Sequence, residues 1–259
     1  MKKSTLFVLL IVFIPTLMNA NEFYNGFNDS SFKTIVFKND KVALYDDADC
    51  YQNSIWNHEF NFRLSDYENA QILTLFDNEN FKKSFYVLKS DYCIVIYDFE
   101  TNDCIFTGLS VSLNKTEGLS FPKIIFASSE LTEGQKIYSA QNLLNFKSDM
   151  PWCEGVSSYG IDEKIDLRVN AKKLLIISGY VSAKRPYLFK SNSRPKKIAV
   201  YFKNSDITKE YTIEDSPNPQ IIEFDETYNG DIELIIKDVY QGEKYEDTCI
   251  STVFSMYFD

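Results

Sequence analysis

The chain contains a single histidine, His58, and that count limits its chemistry at once. A catalytic zinc ion bound through imidazoles needs two or three of them. The five cysteines, Cys50, Cys93, Cys104, Cys153 and Cys249, show no C-x-x-C spacing of the kind that builds a structural zinc site. No Gly-x-Ser-x-Gly elbow presents a nucleophilic serine, and neither a Walker A loop nor G-x-G-x-x-G occurs to cradle phosphates. Cys50 and His58 could form a thiol–imidazole pair, but a loop histidine and a disulfide cysteine is the simpler reading. With 37 acidic residues, a pair of carboxylates at glycosidase spacing arises cheaply by chance. Asp46, Asp47 and Asp49 offer hard oxygens to calcium, yet they match no EF-hand spacing and read as an exposed turn. The expectation is a non-enzyme without cofactor or metal.

Binding chemistry is better represented. One of the two tryptophans lies in Met150-Pro-Trp-Cys-Glu-Gly155, beside a glutamate. Tyr180 follows Gly179, Asn192 and Arg194 sit in a basic loop, and Asp247 precedes the last cysteine. An aromatic ring can take the apolar face of a sugar while fixed polar groups bond its hydroxyls. Trp152 and Tyr180 are thus the stacking candidates, with Glu154, Asn192, Arg194 and Asp247 as oriented polar partners. The alternative carries equal weight: Trp152 and Tyr180 are core aromatics, and Arg194 pairs with an acid to hold loops together.

These residues need a scaffold of strands. Runs at 33–37, 41–45, 60–64, 71–76, 84–89, 93–98 and 103–107 recur about every ten residues, and Asn39-Asp40 reads as a hairpin turn. No sustained 3.6-residue apolar period is present. This half is expected to be a small all-β module, SH3-like in its short strands, over residues 21–118, with residues 21–31 as a loose lead-in. A polar connector, Asn114 to Gly118, precedes further runs at 173–181, 197–203, 220–224, 231–239 and 248–257. Ile198, Val200 and Phe202 alternate with Ala199, Tyr201 and Lys203, the period of a half-buried strand. One short helical turn is expected around 140–144. Residues 119–259 therefore read as a β-sandwich with jelly-roll connections.

The N-terminus gives an address. Lys2 and Lys3 precede an apolar stretch, Leu6 to Leu17, and Met18-Asn19-Ala20 supplies a small residue for cleavage. The stretch is shorter than the roughly 20 residues needed to span a bilayer, so residues 1–20 read as a signal peptide and not as a retained anchor. Cleavage removes two lysines and no acid, taking the net charge from −10 to −12. So acidic a chain lacks the footprint of a nucleic-acid binder. Secretion, or residence in a periplasm or cell envelope, makes disulfides the default use of cysteine. One bridge within each half is an arrangement compatible with the counts, and an odd count leaves at least one thiol over.

Several second-half segments, in order, resemble a discoidin-like family of bacterial exported proteins, in particular the glycan-binding domain associated with secreted NAD-glycohydrolase toxins. They are Ala127-Ser-Ser129, Tyr138 to Leu144, Trp152-Cys-Glu-Gly155, Gly160-Ile-Asp-Glu163, Gly179-Tyr180, Asn192 to Lys196, Asp238-Val-Tyr240 and Asp247-Thr-Cys-Ile250. The resemblance covers a little over half the chain. It implies a galactose-binding-like jelly roll and a non-catalytic, glycan-directed function, and it does not imply NAD hydrolysis. Asn145 stands where the family usually carries Asp, which weakens any calcium site. Cys153 and Cys249 lie inside family-like segments and are expected to form a disulfide. The competing function is that of a structural or protein-interaction component of the cell envelope without sugar binding. A glycosidase with paired acids ranks third.

Overall fold

The computed structural model describes residues 22–28, 31–39, 41–46, 58–77, 82–110, 117–144 and 147–258. The signal segment, Asp47, Asp49, Cys50 and Asn145 lie outside the described residues.

Eight strands form the N-terminal part: β1 (Glu22–Asn28), β2 (Ser31–Lys38), β3 (Lys41–Asp46), β4 (His58–Tyr67), β5 (Ala70–Phe76), β6 (Lys82–Lys89), β7 (Cys93–Asp98) and β8 (Cys104–Ser110). Each pairs antiparallel with the next, and β1 pairs back onto β8 to close a barrel. The expected all-β module is therefore an eight-stranded up-and-down barrel, with more strands than an SH3-like module. Its closing strand, β1, occupies residues expected to be a loose lead-in. That segment is polar, but barrel closure satisfies its backbone on both edges. Gly26 faces Gly108 across the seam, and a Cβ on Gly26 would stand 1.9 Å from the Thr107 carbonyl oxygen. Two glycines let the backbones meet there. At the hairpin of β2 and β3, Asn39 takes φ 57°, the left-handed conformation that asparagine tolerates in tight turns.

Phe37, Leu44, Leu73, Leu75, Phe85, Ile94, Ile96 and Phe106 fill the barrel interior. All six residues of β7 are buried, on both faces. An antiparallel strand ordinarily alternates; β7 does not because its outer face is covered. Tyr86, Leu88, Val95, Tyr97 and Leu109 pack there against Leu119, Leu175, Ile177, Phe254 and Met256 from the C-terminal part. Polar bonds fix the seam. The Lys89 N–H donates to Asn218 Oδ1 at 3.0 Å, the Ser148 N–H donates to the Asn102 carbonyl at 2.7 Å, and Lys147 pairs with Asp103 at 3.1 Å. Barrel and sandwich thus share one apolar core.

The C-terminal part is a β-sandwich whose main sheet runs β13 (Trp152–Cys153), β18 (Cys249–Phe258), β14 (Lys164–Ser178), β17 (Gln220–Tyr240), β15 (Arg194–Phe202) and β16 (Ile207–Thr212). Short β9 (Glu117–Ser120) pairs with β18, and β10 (Lys123–Ala127) pairs with β14. A register shift between Ala171 and Lys173 lets the first part of β14 pair with β10 and its last part with β18. The long strands are thereby shared between layers, around a core that includes Trp152, Leu167, Ile176, Val200, Ile232 and Val253. A hairpin of β11 (Leu131–Glu133) and β12 (Lys136–Tyr138), a 3-10 turn at Ala140–Leu144 where the helical turn was expected, and the one-turn helix α1 (Leu188–Ser191) cluster at one end. Among the described residues, no helix is long and apolar enough to cross a membrane.

Candidate binding site

At that end Tyr138, Cys153, Tyr180, Leu188 and Cys249 make a small separate core, with Leu131 against it. Above it opens a recess of about 110 Å³. Leu131, Cys153 and Leu188 supply apolar lining, and Glu133, Tyr138, Tyr180, Arg185, Asn192, Tyr245 and Asp247 supply the polar walls. The β11–β12 hairpin contributes Glu133 and Tyr138. The turn after β14 brings Tyr180 and Arg185, the end of α1 brings Asn192, and the loop before β18 brings Tyr245 and Asp247. The volume is well below the roughly 300–1,000 Å³ of pockets that swallow a drug-sized ligand. It suits a single small polar unit held partly in solvent.

Cys153 and Cys249, paired across β13 and β18 with Cα atoms 4.2 Å apart, form the expected disulfide. Next to it Glu154 is fully buried. Its carboxylate accepts the backbone N–H of Thr248 at 3.0 Å and that of Val156 at 2.8 Å. Burial is the largest influence on Glu154 and outweighs those bonds, holding its pKa above the ordinary glutamate value. Gly160, at φ +66°, packs against it, and a Cβ there would stand 2.4 Å from Glu154 Cγ.

Three of the six residues expected to bind ligand meet in the recess: Tyr180, Asn192 and Asp247. The other three do not line it. Trp152 is 0% exposed, its indole N–H donating to the Ser129 carbonyl at 3.0 Å, so its ring is core and presents no stacking face. Glu154 spends both oxygens on backbone. Arg194, 4% exposed, forms a fork with Asp215 through Nε at 2.6 Å and Nη2 at 2.9 Å. Its Nη1 donates to the Asn192 carbonyl at 3.0 Å, and the guanidinium lies 5.1 Å from the Phe189 ring centre. Burial pushes the Asp215 carboxyl up, but the hydrogen bonds from Arg194 and Lys190 outweigh it and hold the group below the usual aspartate value. These three side chains hold loops together.

Inside the recess the Tyr138 hydroxyl donates to Glu133 Oε2 at 3.0 Å, and Asn192 Nδ2 donates to the Leu188 carbonyl at 2.9 Å. Lys136 Nζ donates to the Tyr180 hydroxyl and to the Asp149 carbonyl, both at 3.1 Å, while Arg185 pairs with Asp149 at 2.6 Å. Burial first, then the charges of Glu133 and Glu246, raise the pKa of Asp247. Tyr245, in the wall of the recess, is 39% exposed, and Tyr187, immediately before α1, is 53% exposed.

Glu133, Tyr138, Arg185, Tyr187 and Tyr245 were not among the sequence candidates. Tyr138 lay inside a family-like segment and could have been picked up there. Glu133 lies in the three-residue strand β11, too short to show a period, and Arg185, Tyr187 and Tyr245 sit in polar loops. No cluster of three or more His, Cys, Asp or Glu able to hold a metal occurs among the described residues. Cys93 and Cys104 are both buried free thiols on the covered face of the barrel. A first-half bridge between these two is therefore not formed.

Residues 116–256 match the family model described as the NAD glycohydrolase translocation F5/8 type C domain. Among solved structures, the chain is similar to the family 32 carbohydrate-binding module of NanJ from C. perfringens, in complex with galactose. That similarity is 15% in identity with a TM-score of 0.38, covering 54% of this chain and 93% of the other. Comparison with curated protein sequences found no match.

Proposed function

The chain belongs, over residues 116–256, to the NAD glycohydrolase translocation F5/8 type C domain family, and on that premise we propose that it is an exported, non-catalytic protein whose sandwich binds a glycan at the recess. The carrying observation is the convergence of Tyr180, Asn192 and Asp247 in one small polar hollow, with exposed Tyr245 in its wall and exposed Tyr187 next in sequence to the lining residue Leu188. Tyrosine rings offer flat apolar faces with little conformational entropy to lose, and the carboxylates and amide offer directional partners for hydroxyls. The sandwich end is a set of loops on a rigid frame, where binding groups are commonly carried. The barrel, joined to the sandwich by a shared core, is a pedestal that orients it. A disulfide at the floor of the recess favours an oxidising location outside the cytoplasm. Glycan-array screening of the chain beside Tyr245→Ala and Tyr187→Ala tests this reading. Saccharide binding that both variants weaken supports it, and no binding across a broad panel refutes it.

A second reading has its own support. Trp152, Glu154 and Arg194 are buried and fully engaged within the fold. That arrangement suits a structural or protein-interaction component of the cell envelope whose family-like segments maintain the fold alone. It predicts that alanine substitutions around the recess leave every surface interaction unchanged.

A further inference from the structure

We infer that the barrel holds the recess in its binding shape through the turn at residues 147–149, with Asp149 as a positioning residue that acts on the ligand through Arg185 and Tyr180. The inference rests on the reading of the recess as a glycan site and adds to it the element that fixes one of its walls.

On one side this turn is fastened to the barrel. The Ser148 N–H donates to the Asn102 carbonyl at 2.7 Å, the Ser148 hydroxyl donates to Asn102 Oδ1 at 3.3 Å, and Lys147 pairs with Asp103 at 3.1 Å. Asn102 and Asp103 belong to the connection between β7 and β8. On its other side the turn holds the loop after β14, which supplies Tyr180 and Arg185 to the recess. The Ala183 N–H donates to the Ser148 hydroxyl at 3.1 Å, and the Asp149 N–H donates to the Val181 carbonyl at 2.7 Å. Asp149 Oδ1 pairs with Arg185 Nη2 at 2.6 Å. The Asp149 carbonyl accepts the Tyr180 hydroxyl at 3.3 Å and the Lys136 ammonium at 3.1 Å, and that ammonium lies 4.4 Å from the centre of the Tyr138 ring.

Asp149 takes φ 74°, the left-handed region that few residues other than glycine, asparagine and aspartate adopt. In that conformation its N–H, carbonyl and carboxylate reach Val181, Tyr180 and Arg185 at once. A strained residue persists where its surroundings over-determine it, and here the surroundings include the barrel. The ion pair itself adds little to folding, because the Arg185 side chain is 45% exposed and such pairs are screened by water. Its effect on binding is larger in kind. A free arginine side chain loses rotamer freedom when a ligand orders it, whereas one already held by Asp149 has lost part of that freedom beforehand. Preorganisation of this sort raises affinity without any contact between Asp149 and the ligand.

The test is an NMR titration of the whole chain with glucose, galactose, N-acetylglucosamine and N-acetylgalactosamine, the tightest binder of the four serving as probe for the variants. Circular dichroism checks that each variant is folded. Asp149→Asn keeps the left-handed backbone accessible and removes the charge, and it should weaken the probe roughly fivefold or more while melting near wild type. Asn102→Ala and Ser148→Ala loosen the barrel side of the turn, and each should weaken the probe about threefold or more. Combined with Arg185→Gln, Asp149→Asn should cost less than about twofold further, because its effect passes through Arg185. Arg185→Lys takes the place of Arg185→Gln in that cycle where the glutamine variant binds too weakly to titrate. Full additivity in the double variant, or wild-type affinity in Asp149→Asn or in the folded barrel-side variants, overturns the inference and leaves the glycan reading standing. No binding of any of the four sugars overturns the inference, and failure on a wider glycan array then removes the glycan reading as well.

Discussion

Glu154 Oε1 accepts the backbone N–H of Thr248 at 3.0 Å, joining positions 94 residues apart immediately beside the Cys153–Cys249 disulfide. The Glu154 N–H returns a bond to the Thr248 carbonyl at 3.2 Å. Side chain, backbone and disulfide together pin the end of the loop that carries Asp247 into the recess. This buried carboxylate titrates with a raised pKa, so its neutral form is the better tolerated in the fold. Its contribution to stability is present below the unfolded value near 4.5 and is lost as pH rises through the folded value. Glu154→Gln removes that dependence and sets an amide donor against the Val156 N–H, costing about 1–3 kcal/mol. Chemical denaturation at pH 4 and pH 7 should show a larger advantage of wild type over Glu154→Gln at pH 4.

The disulfide closes a sequence separation of 96 residues, and Cys153 itself lines the recess. Cross-links of that span restrict the unfolded chain, and removing a native one costs typically ~2–5 kcal/mol. The double variant Cys153→Ser/Cys249→Ser should melt at a lower temperature and should lose ligand affinity more than barrel integrity. Unchanged melting would contradict the structural assignment of this bridge.

Arg194 and Asp215 make a two-bond fork in which the arginine is buried and the aspartate is one-third exposed. Breaking a buried pair by removing one partner costs roughly 3–5 kcal/mol, and the aspartate's exposure places this pair near 3 kcal/mol. Arg194→Lys keeps the charge but loses the planar fork, so it too should destabilise, as read by thermal melting. At a temperature where the variant remains folded, its affinity for ligand should stay within a few-fold of wild type.

Cys93 and Cys104 are covered by the sandwich. Burial drives the Cys93 thiol far above its ordinary value and the Cys104 thiol up to about 11. The thiolate is the reactive form, so neither should alkylate in the native protein at pH 8. Mass mapping after iodoacetamide should find both modified only when denaturant separates the barrel from the sandwich. Rapid native labelling of either would contradict the shared core.

Most of the fold was legible because strands announce themselves by alternation and punctuation. Ile198, Val200 and Phe202 point inward along β15, and Asn39 marks the β2–β3 hairpin. The closing strand β1 was missed because its pairing is decided by Gly26 meeting Gly108, residues 82 apart, which no local pattern encodes. Continuous burial along β7 likewise depends on a partner surface far away in sequence. At the site, residue type misled where position decides. Tryptophan and arginine are favoured tools of recognition, yet Trp152 and Arg194 are each satisfied internally. The groups that face the recess come from the short β11–β12 hairpin and from polar loops, and Glu133, Arg185 and Tyr245 are identified only by their convergence with Tyr180, Asn192 and Asp247.

The recess lined by Tyr180, Asn192 and Asp247 is the proposed place where the chain meets its ligand. The most direct measurement is a glycan-array screen of wild type beside Asp247→Ala and a folded Trp152→Phe variant. The account predicts saccharide binding by wild type, loss of at least tenfold in affinity for Asp247→Ala, and retention within a few-fold for Trp152→Phe. Wild-type binding that Asp247→Ala leaves intact, or no saccharide binding at all, would contradict it.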